Sequence, residues 1–209
     1  MFRVTAVVAR FHWPPGLSEA KTLLKGVRIL DLSRLLPGPM ASWYLRGMGA
    51  EIIKVEDPTV GDYLRYSPPF RSDGSSAWFA ALNAGKRSVA LDLKQDEGRE
   101  HLQGLLAKTD VLLESFRPGV LARLGLAPDV LRQRYPRLII ASISGFGQQG
   151  PRRKDPGHDL GYCGLAGSLS LAARHQGRPD LPALPIADMA GGALTAAMTI
   201  CAALFARER

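Results

Sequence analysis

Apolar positions along this chain fall into short unbroken runs separated by longer segments in which they recur at helical spacing. From Val27, "VRILDLS" is a β-branched and leucine run closed by Asp and Ser, the pattern of a strand buried on both faces. In "RLLPGPMASWYLRGMGA", Pro37 and Pro39 open a helix, and Gly47 with Gly49 close it. "EIIKVED" is a second strand, stopped by Pro58, so the first three elements make a right-handed βαβ unit with parallel strands. "RSVALDL" predicts the third strand, "DVLLES" the fourth and "RLIIASISG" the fifth. Between them, Asp96 to Lys108 reads as a helix, and shorter helices fall near 119–124 and 128–134. Residues 59–86, with Pro68-Pro69 and "SDGSS", read as one long polar loop, a length that usually serves function. A final helix is expected from Ala190 to Ala206, opened by Asp188 as its cap.

Strands alternating with helices at this spacing predict an α/β fold with an open, mostly parallel, Rossmann-like sheet and helices on both faces. Ligands of such sheets bind beyond the carboxyl ends of the strands. Those ends are Leu36 to Pro39, Glu56 to Pro58, Leu91 to Lys94, Ser115 to Pro118 and Ser144 to Gln149. The turn after the first strand reads "LLPGP", which is neither GxGxxG nor a P-loop, so phosphates must be met by Arg and Lys side chains.

Composition narrows the partners. The chain has 209 residues and a formal charge of +8. Its cations come in short groups (Lys86-Arg87, Arg117, Arg123, Arg152-Arg153-Lys154) rather than one block, and no nucleic-acid-binding motif accompanies them. A compact polyanion fits that distribution better than a duplex. No uninterrupted apolar run approaches the ~18 residues of a membrane span, and no membrane association is expected. Cys163 and Cys201 stand in apolar surroundings without CxxC or paired His, which favours a reducing compartment and argues against a metal site. Residues 1–25 are expected to be a disordered extension, and 26–209 the folded domain.

Candidate chemistry concentrates in two stretches. "PGHDLGYCGLAG" sets the His158 imidazole beside the Asp159 carboxylate just after a Pro-Gly turn, and "PIADMAGGALTAAM" carries Asp188 into a run of small residues. On their own these are ordinary turn and cap residues; together they could equally line a reaction site.

The blocks "GVRILDLSRLLPGPMAS…LRGMGAEIIKVEDP", "GKRSVALDLK", "DVLLESFRPGVLARLGL", "PRLIIASISGFGQQGP", "GHDLGYCGLAG" and "IADMAGG", in this order, resemble the family III CoA-transferases. That family includes carnitine, formyl and succinyl CoA-transferases and the α-methylacyl-CoA racemases. The resemblance runs from about Gly26 to the C-terminus. It implies a Rossmann-like, CoA-binding large domain belonging to a protein of roughly twice this length, of which this sequence looks like the N-terminal portion. It also implies a homodimer of two interlocked chains. Coenzyme A or an acyl-CoA would be substrate rather than a permanently bound cofactor, with a carboxylic acid as the second substrate. A cytoplasmic location goes with this, or a mitochondrial or peroxisomal one in a eukaryote.

Carried over residue by residue, the resemblance implies CoA contacts at Leu91, Asp92, Leu93 and Lys94, at Ser115, Phe116 and Arg117, and at Arg123. Arg117 and Arg123 suit phosphate oxygens and Phe116 the adenine face. Asp57 stands where the transferases often carry Arg after the second strand; Lys54 is the candidate replacement. Asp188 corresponds to the transferases' nucleophile, which passes through an aspartyl-CoA thioester. Gly191 and Gly192 would bring backbone N–H groups to the oxyanion. His158 in "GHD" points instead to the racemases, where His and Asp serve as two bases at one α-carbon, with Asp159 beside them. The long 59–86 segment favours the transferases. Transfer of CoA between carboxylates is therefore the leading expectation, α-proton racemisation the alternative, and an inactive CoA-binding fragment a third.

Overall fold

A computed structural model describes residues 23–171, 174–175, 178–179 and 181–209. Five strands, β1 (Arg28–Asp31), β2 (Glu51–Glu56), β3 (Arg87–Ala90), β4 (Val111–Glu114) and β5 (Ile139–Ser142), form one all-parallel sheet in the order β3-β2-β1-β4-β5. The expected α/β fold is observed. Most of the expected extension, residues 1–22, lies outside the described residues. Ahead of Gly26, the Leu24 N–H donates to Met48 O at 2.8 Å.

Successive residues of the central strands serve two cores. Ile29, Val111 and Leu113 face one side, where α1 (Pro37–Gly47) and α8 (Thr195–Arg207) supply Leu45, Ile200 and Leu204. Leu30 and Leu112 face the other side, with Leu102 and Leu106 of α3 (Asp96–Leu106) and Leu121 and Leu131 of α4 (Val120–Arg123) and α5 (Pro128–Arg134). Continuous apolar runs were legible as strands because a sheet covered on both faces buries every residue.

The segment read as loop is more ordered than expected. It contains a 3₁₀ turn (Tyr63–Tyr66) and a helix, α2 (Ala77–Asn83), whose N-cap Ser76 accepts from the Phe79 N–H at 3.3 Å. Asp62 caps the 3₁₀ turn by accepting from the Leu64 N–H at 3.0 Å. Beyond β5 come α6 (Asp159–Leu165), the single turn α7 (Ser168–Leu171) and the two-residue antiparallel pair β6 (Arg174–His175) and β7 (Arg178–Pro179).

The last helix starts earlier than expected, with a π-helical segment, Ala187–Leu194, leading straight into α8. The joined helix, Ala187–Arg207, has 21 residues and a mean hydropathy of 1.8, so length and composition alone would allow it to cross a membrane, contrary to the expectation from uninterrupted apolar runs. Its packing accounts for the apolarity on one side, since Ala193, Ala197, Ile200 and Leu204 belong to the core of the sheet.

Candidate functional site

The strand order reverses between β1 and β4, and the loops leaving these two strands part there. A cavity of about 1240 Å³ opens at this point. Its walls come from Arg34 and Leu35 after β1, Ser115 to Pro118 after β4, Ser144 to Phe146 after β5, His158 and Tyr162 at α6, and Asp188, Gly191 and Gly192 of the π-helical segment.

A buried polar network fixes the loop after β1. Asp31 is fully buried and accepts from the Ser33 N–H at 2.9 Å and from the Ser33 and Ser42 hydroxyls. Lys86 Nζ lies 3.4 Å from Asp31 and donates to Pro39 O and Asn83 Oδ1. Burial alone would raise the Asp31 carboxyl, but Lys54, Lys86 and the two hydroxyls outweigh it and hold it below the ordinary value. Desolvation depresses Lys86 to about 8. Lys54 Nζ donates to Ser33 O at 2.9 Å and pairs with Asp62 at 2.8 Å. Asp62 in turn accepts from the Leu35 N–H at 3.0 Å, holding Leu35 at φ 64°, a left-handed conformation costly for a branched side chain. Lys54 is therefore a buried structural cation and does not replace a phosphate contact. Asp57, at the position of interest after β2, folds back on its own turn, accepting from the Thr59 hydroxyl and N–H; these bonds hold its carboxyl at about 2.

The loop after β4 is braced similarly. Glu114 is 3% exposed and accepts from the Phe116 N–H at 2.7 Å, and burial pushes its carboxyl up. Ser115 Oγ accepts from the Arg34 N–H at 3.1 Å, which joins the two loops across the switch point.

Asp188 is half-buried in the first turn of the π-helical segment, but it is not the cap; Ile186 holds that position without a side-chain bond. The Asp188 N–H donates to Asp159 Oδ1 at 2.9 Å. Burial first, and then the charge of Asp159, raise the Asp188 carboxyl above its ordinary value, with His158 pulling the other way. Asp159 itself sits at the first position of α6, directly after His158, whose carbonyl accepts from the Tyr162 N–H at 3.1 Å. The Tyr162 ring fills the space that side chains on Gly145 and Gly157 would occupy, and its hydroxyl donates to Gly157 O at 2.8 Å.

The glycines after Asp188 play a different part from the one expected. A π-helical N–H points back along the helix to the carbonyl five residues earlier, so those of Gly191 and Gly192 are turned along the axis and not into the cavity. What they provide is space. No atom lies within 4 Å of a Cβ built on Gly191, and one on Gly192 would meet Pro37 at 2.9 Å.

Of the residues singled out from the sequence, Ser115, Phe116, Arg117, His158 and Asp188 line the one cavity, and Asp159 reaches it through Asp188. Leu91, Asp92, Leu93, Lys94 and Arg123 do not line it. Leu91 and Leu93 pack against the second core, Asp92 accepts from the Lys94 N–H at 3.0 Å, and the Lys94 and Arg123 residues are exposed. Among the described residues no group of three or more His, Cys, Asp or Glu could hold a metal. Sequence reasoning missed Arg34 and Tyr63, which also face the cavity. The available signal for Arg34 was its place as the first cation after β1, beside the switch point.

Residues 24–209 match the model of CoA-transferase family III. The chain belongs to this family. It is 41% identical over 186 residues to human α-methylacyl-CoA racemase, an alignment covering 89% of this chain and 45% of the relative. It is 40% identical over 182 residues to a succinate–glutarate CoA-transferase of Agrobacterium fabrum, covering 84% of this chain and 46% of that protein. A CAIB/BAIF family protein from Brucella suis has a crystal structure that superposes with a TM-score of 0.85 at 38% identity, over 90% of this chain and 50% of that one. The family III chain thus spans about half the length of these relatives. Family members act on CoA thioesters as transferases or as racemases, and relatives of both kinds match to a similar degree.

Proposed function

We propose that this chain carries the CoA-binding and reacting half of an enzyme that moves CoA between carboxylic acids. The observation that carries the proposal is the Asp188 carboxylate, half-buried at the cavity wall, free of any capping duty and raised above its ordinary value. A carboxylate stripped of water and made more basic is a stronger nucleophile. Its oxygen attacks the thioester carbonyl of the donor acyl-CoA and expels the CoA thiolate, leaving a mixed anhydride. The thiolate then attacks the Asp188 carbonyl, releasing the donor acid and forming an aspartyl-CoA thioester. The acceptor carboxylate attacks that thioester, the thiolate leaves again, and its attack on the new anhydride gives acceptor-CoA and restores Asp188. Exposed Arg117 at the cavity wall suits the CoA phosphates, and Phe116 the adenine. The same proposal includes a homodimer of the whole-length protein.

A second reading rests on His158 lying near enough to Asp188 to shift its titration. Two bases sharing one cavity suit removal of an α-proton from one face and its return to the other. Acceptor-dependent exchange of CoA, with hydroxylamine trapping at Asp188, supports the transferase. Exchange of the α-proton into D₂O without any acceptor supports the racemase. Neither activity in a whole-length protein would remove both.

A further inference from the structure

Three cations face the cavity, and they differ in setting. Arg117 and Arg153 are exposed, whereas Arg34 is half-buried. The Arg34 guanidinium lies 5.3 Å from the centre of the Tyr63 ring and 5.9 Å from that of Phe116, and its Nη1 donates to the Tyr63 hydroxyl at 3.3 Å. Among the described residues no carboxylate comes within ion-pair distance of it. Both other half-buried or buried cations nearby behave differently: Lys54 is paired with Asp62, and Lys86 with Asp31.

This half-buried guanidinium has no counter-ion among the described residues, and the arrangement around it holds it at the cavity mouth. Its backbone is pinned on one side by Ser115 Oγ and on the other by the Asp62 bond to the Leu35 N–H. Its flanking rings restrict it without neutralising it, and the phenol engages a single N–H of five. A planar fork of donors is suited to an oxyanion with two oxygens to offer.

We infer that Arg34 is a substrate-binding residue that holds an oxyanion carried by the thioester, and that this group completes the charge the cavity lacks. The inference rests on the acyl-CoA reading above. Two groups supply the chemistry: a second carboxylate on the acyl chain, or a phosphate of CoA.

The experiment measures affinities by calorimetry for the full chain and for Arg34→Gln and Arg34→Lys. The probes are succinyl-CoA, butyryl-CoA and S-butyryl-pantetheine, which carry an acyl carboxylate plus phosphates, phosphates only, and neither. Unchanged thermal unfolding of the variants checks the fold. Arg34→Gln is expected to weaken succinyl-CoA about 10-fold or more, with Arg34→Lys recovering part of the loss. A loss confined to succinyl-CoA assigns the acyl carboxylate; an equal loss for butyryl-CoA, sparing the pantetheine ester, assigns a phosphate. Equal affinity of all three proteins for both CoA esters overturns the inference, as does a loss that extends undiminished to S-butyryl-pantetheine. If the unsubstituted chain binds neither CoA ester, it is the acyl-CoA reading that fails, a result separate from any effect of the variants.

Discussion

Asp159 Oδ1 accepts the backbone N–H of Asp188 at 2.9 Å, so one carboxylate positions the main chain that carries the other and also repels its charge. These two effects can be separated. Asp159→Asn keeps an oxygen for the N–H but removes the negative charge, and the Asp188 carboxyl should then fall toward its ordinary value. The acid limb of kcat/KM in a whole-length protein is expected to move to lower pH in Asp159→Asn, with little change in KM. Asp159→Ala, which loses the bond as well, should lower kcat further. An acid limb that stays in place in Asp159→Asn would show that the charge does not reach Asp188.

Asp188→Asn should abolish turnover, with a loss of 1,000-fold or more, while leaving the protein folded, because the carboxylate caps no helix. Its effect on stability has a definite sign. A carboxyl whose folded value is raised binds its proton more tightly in the folded chain, so stability falls as pH rises from the ordinary value, 3.8, through the raised one. Removing the group removes that loss. Near neutral pH the Asn variant is therefore expected to unfold at the same or a higher temperature than the parent. A clearly lower unfolding temperature would return Asp188 to a structural role.

Glu56 sits at the end of β2, where Arg65 forks onto both its oxygens at 2.8 Å. Burial works against ionisation, but Arg65, Ser88 and the Asp62 N–H prevail and hold it at about 2. A depressed carboxyl adds stability that is fully present above the ordinary value of 4.5 and is lost as pH falls toward 2. With Arg65 at 42% side-chain exposure, solvent screening leaves a contribution on the order of 2 kcal/mol. Acid unfolding followed by circular dichroism should show Glu56→Gln less stable than the parent at pH 6 and converging with it near pH 2. Parallel curves would mean that the pair contributes little.

The sheet was legible because strands covered on both faces leave continuous apolar runs such as Ile29-Leu30 and Val111 to Leu113. Helix α2 was not, since Pro68-Pro69 and "SDGSS" dominated the reading of its segment and masked a Ser76 cap ahead of "AWFAALN". The candidate residues Asp188 and His158 were singled out through motif resemblance, which preserves order along the chain. Lys54 and Arg34 show where that information stops. Each is a cation close to the carboxyl end of a strand, and only the fold reveals that one is sealed against Asp62 while the other faces the cavity. Pairing between residues distant in sequence leaves no local periodicity to read.

Lys54 and Asp62 give a strong test of that network, with side chains 2% and 0% exposed. Lys54→Met leaves Asp62 buried without its cation, and breaking a buried pair in this way typically costs about 3–5 kcal/mol. The loop bearing Arg34 and Leu35 loses its anchor at the same time, so ligand affinity should fall along with stability. Urea denaturation is expected to show a lower midpoint at unchanged slope. A change below about 1 kcal/mol would mean that water or a rearranged Asp62 takes over the role of Lys54.

The last expectation concerns the outer side of α8. Leu194, Met198 and Phe205 are 54%, 65% and 62% exposed, and their spacing places them on one stripe of the helix. Ala197, Ile200 and Leu204 on the adjoining side are already committed to the sheet, and among the described residues only the Arg209 guanidinium, 4.3 Å from the centre of the Phe205 ring, lies over this stripe. Large apolar side chains aligned in this way promote association when their combined area reaches a few hundred Å². The 209-residue chain should therefore self-associate in light scattering as its concentration rises. Met198→Lys with Phe205→Glu should shift it toward monomer, because both positions are exposed and neither supports the core. These substitutions place a charge pair seven residues apart, two turns along the helix, too far to bridge each other and replace the lost contact with an internal one. A parent chain that stays monomeric at high concentration would show that the stripe is too small, or too curved by the π-helical segment before it, to hold another surface.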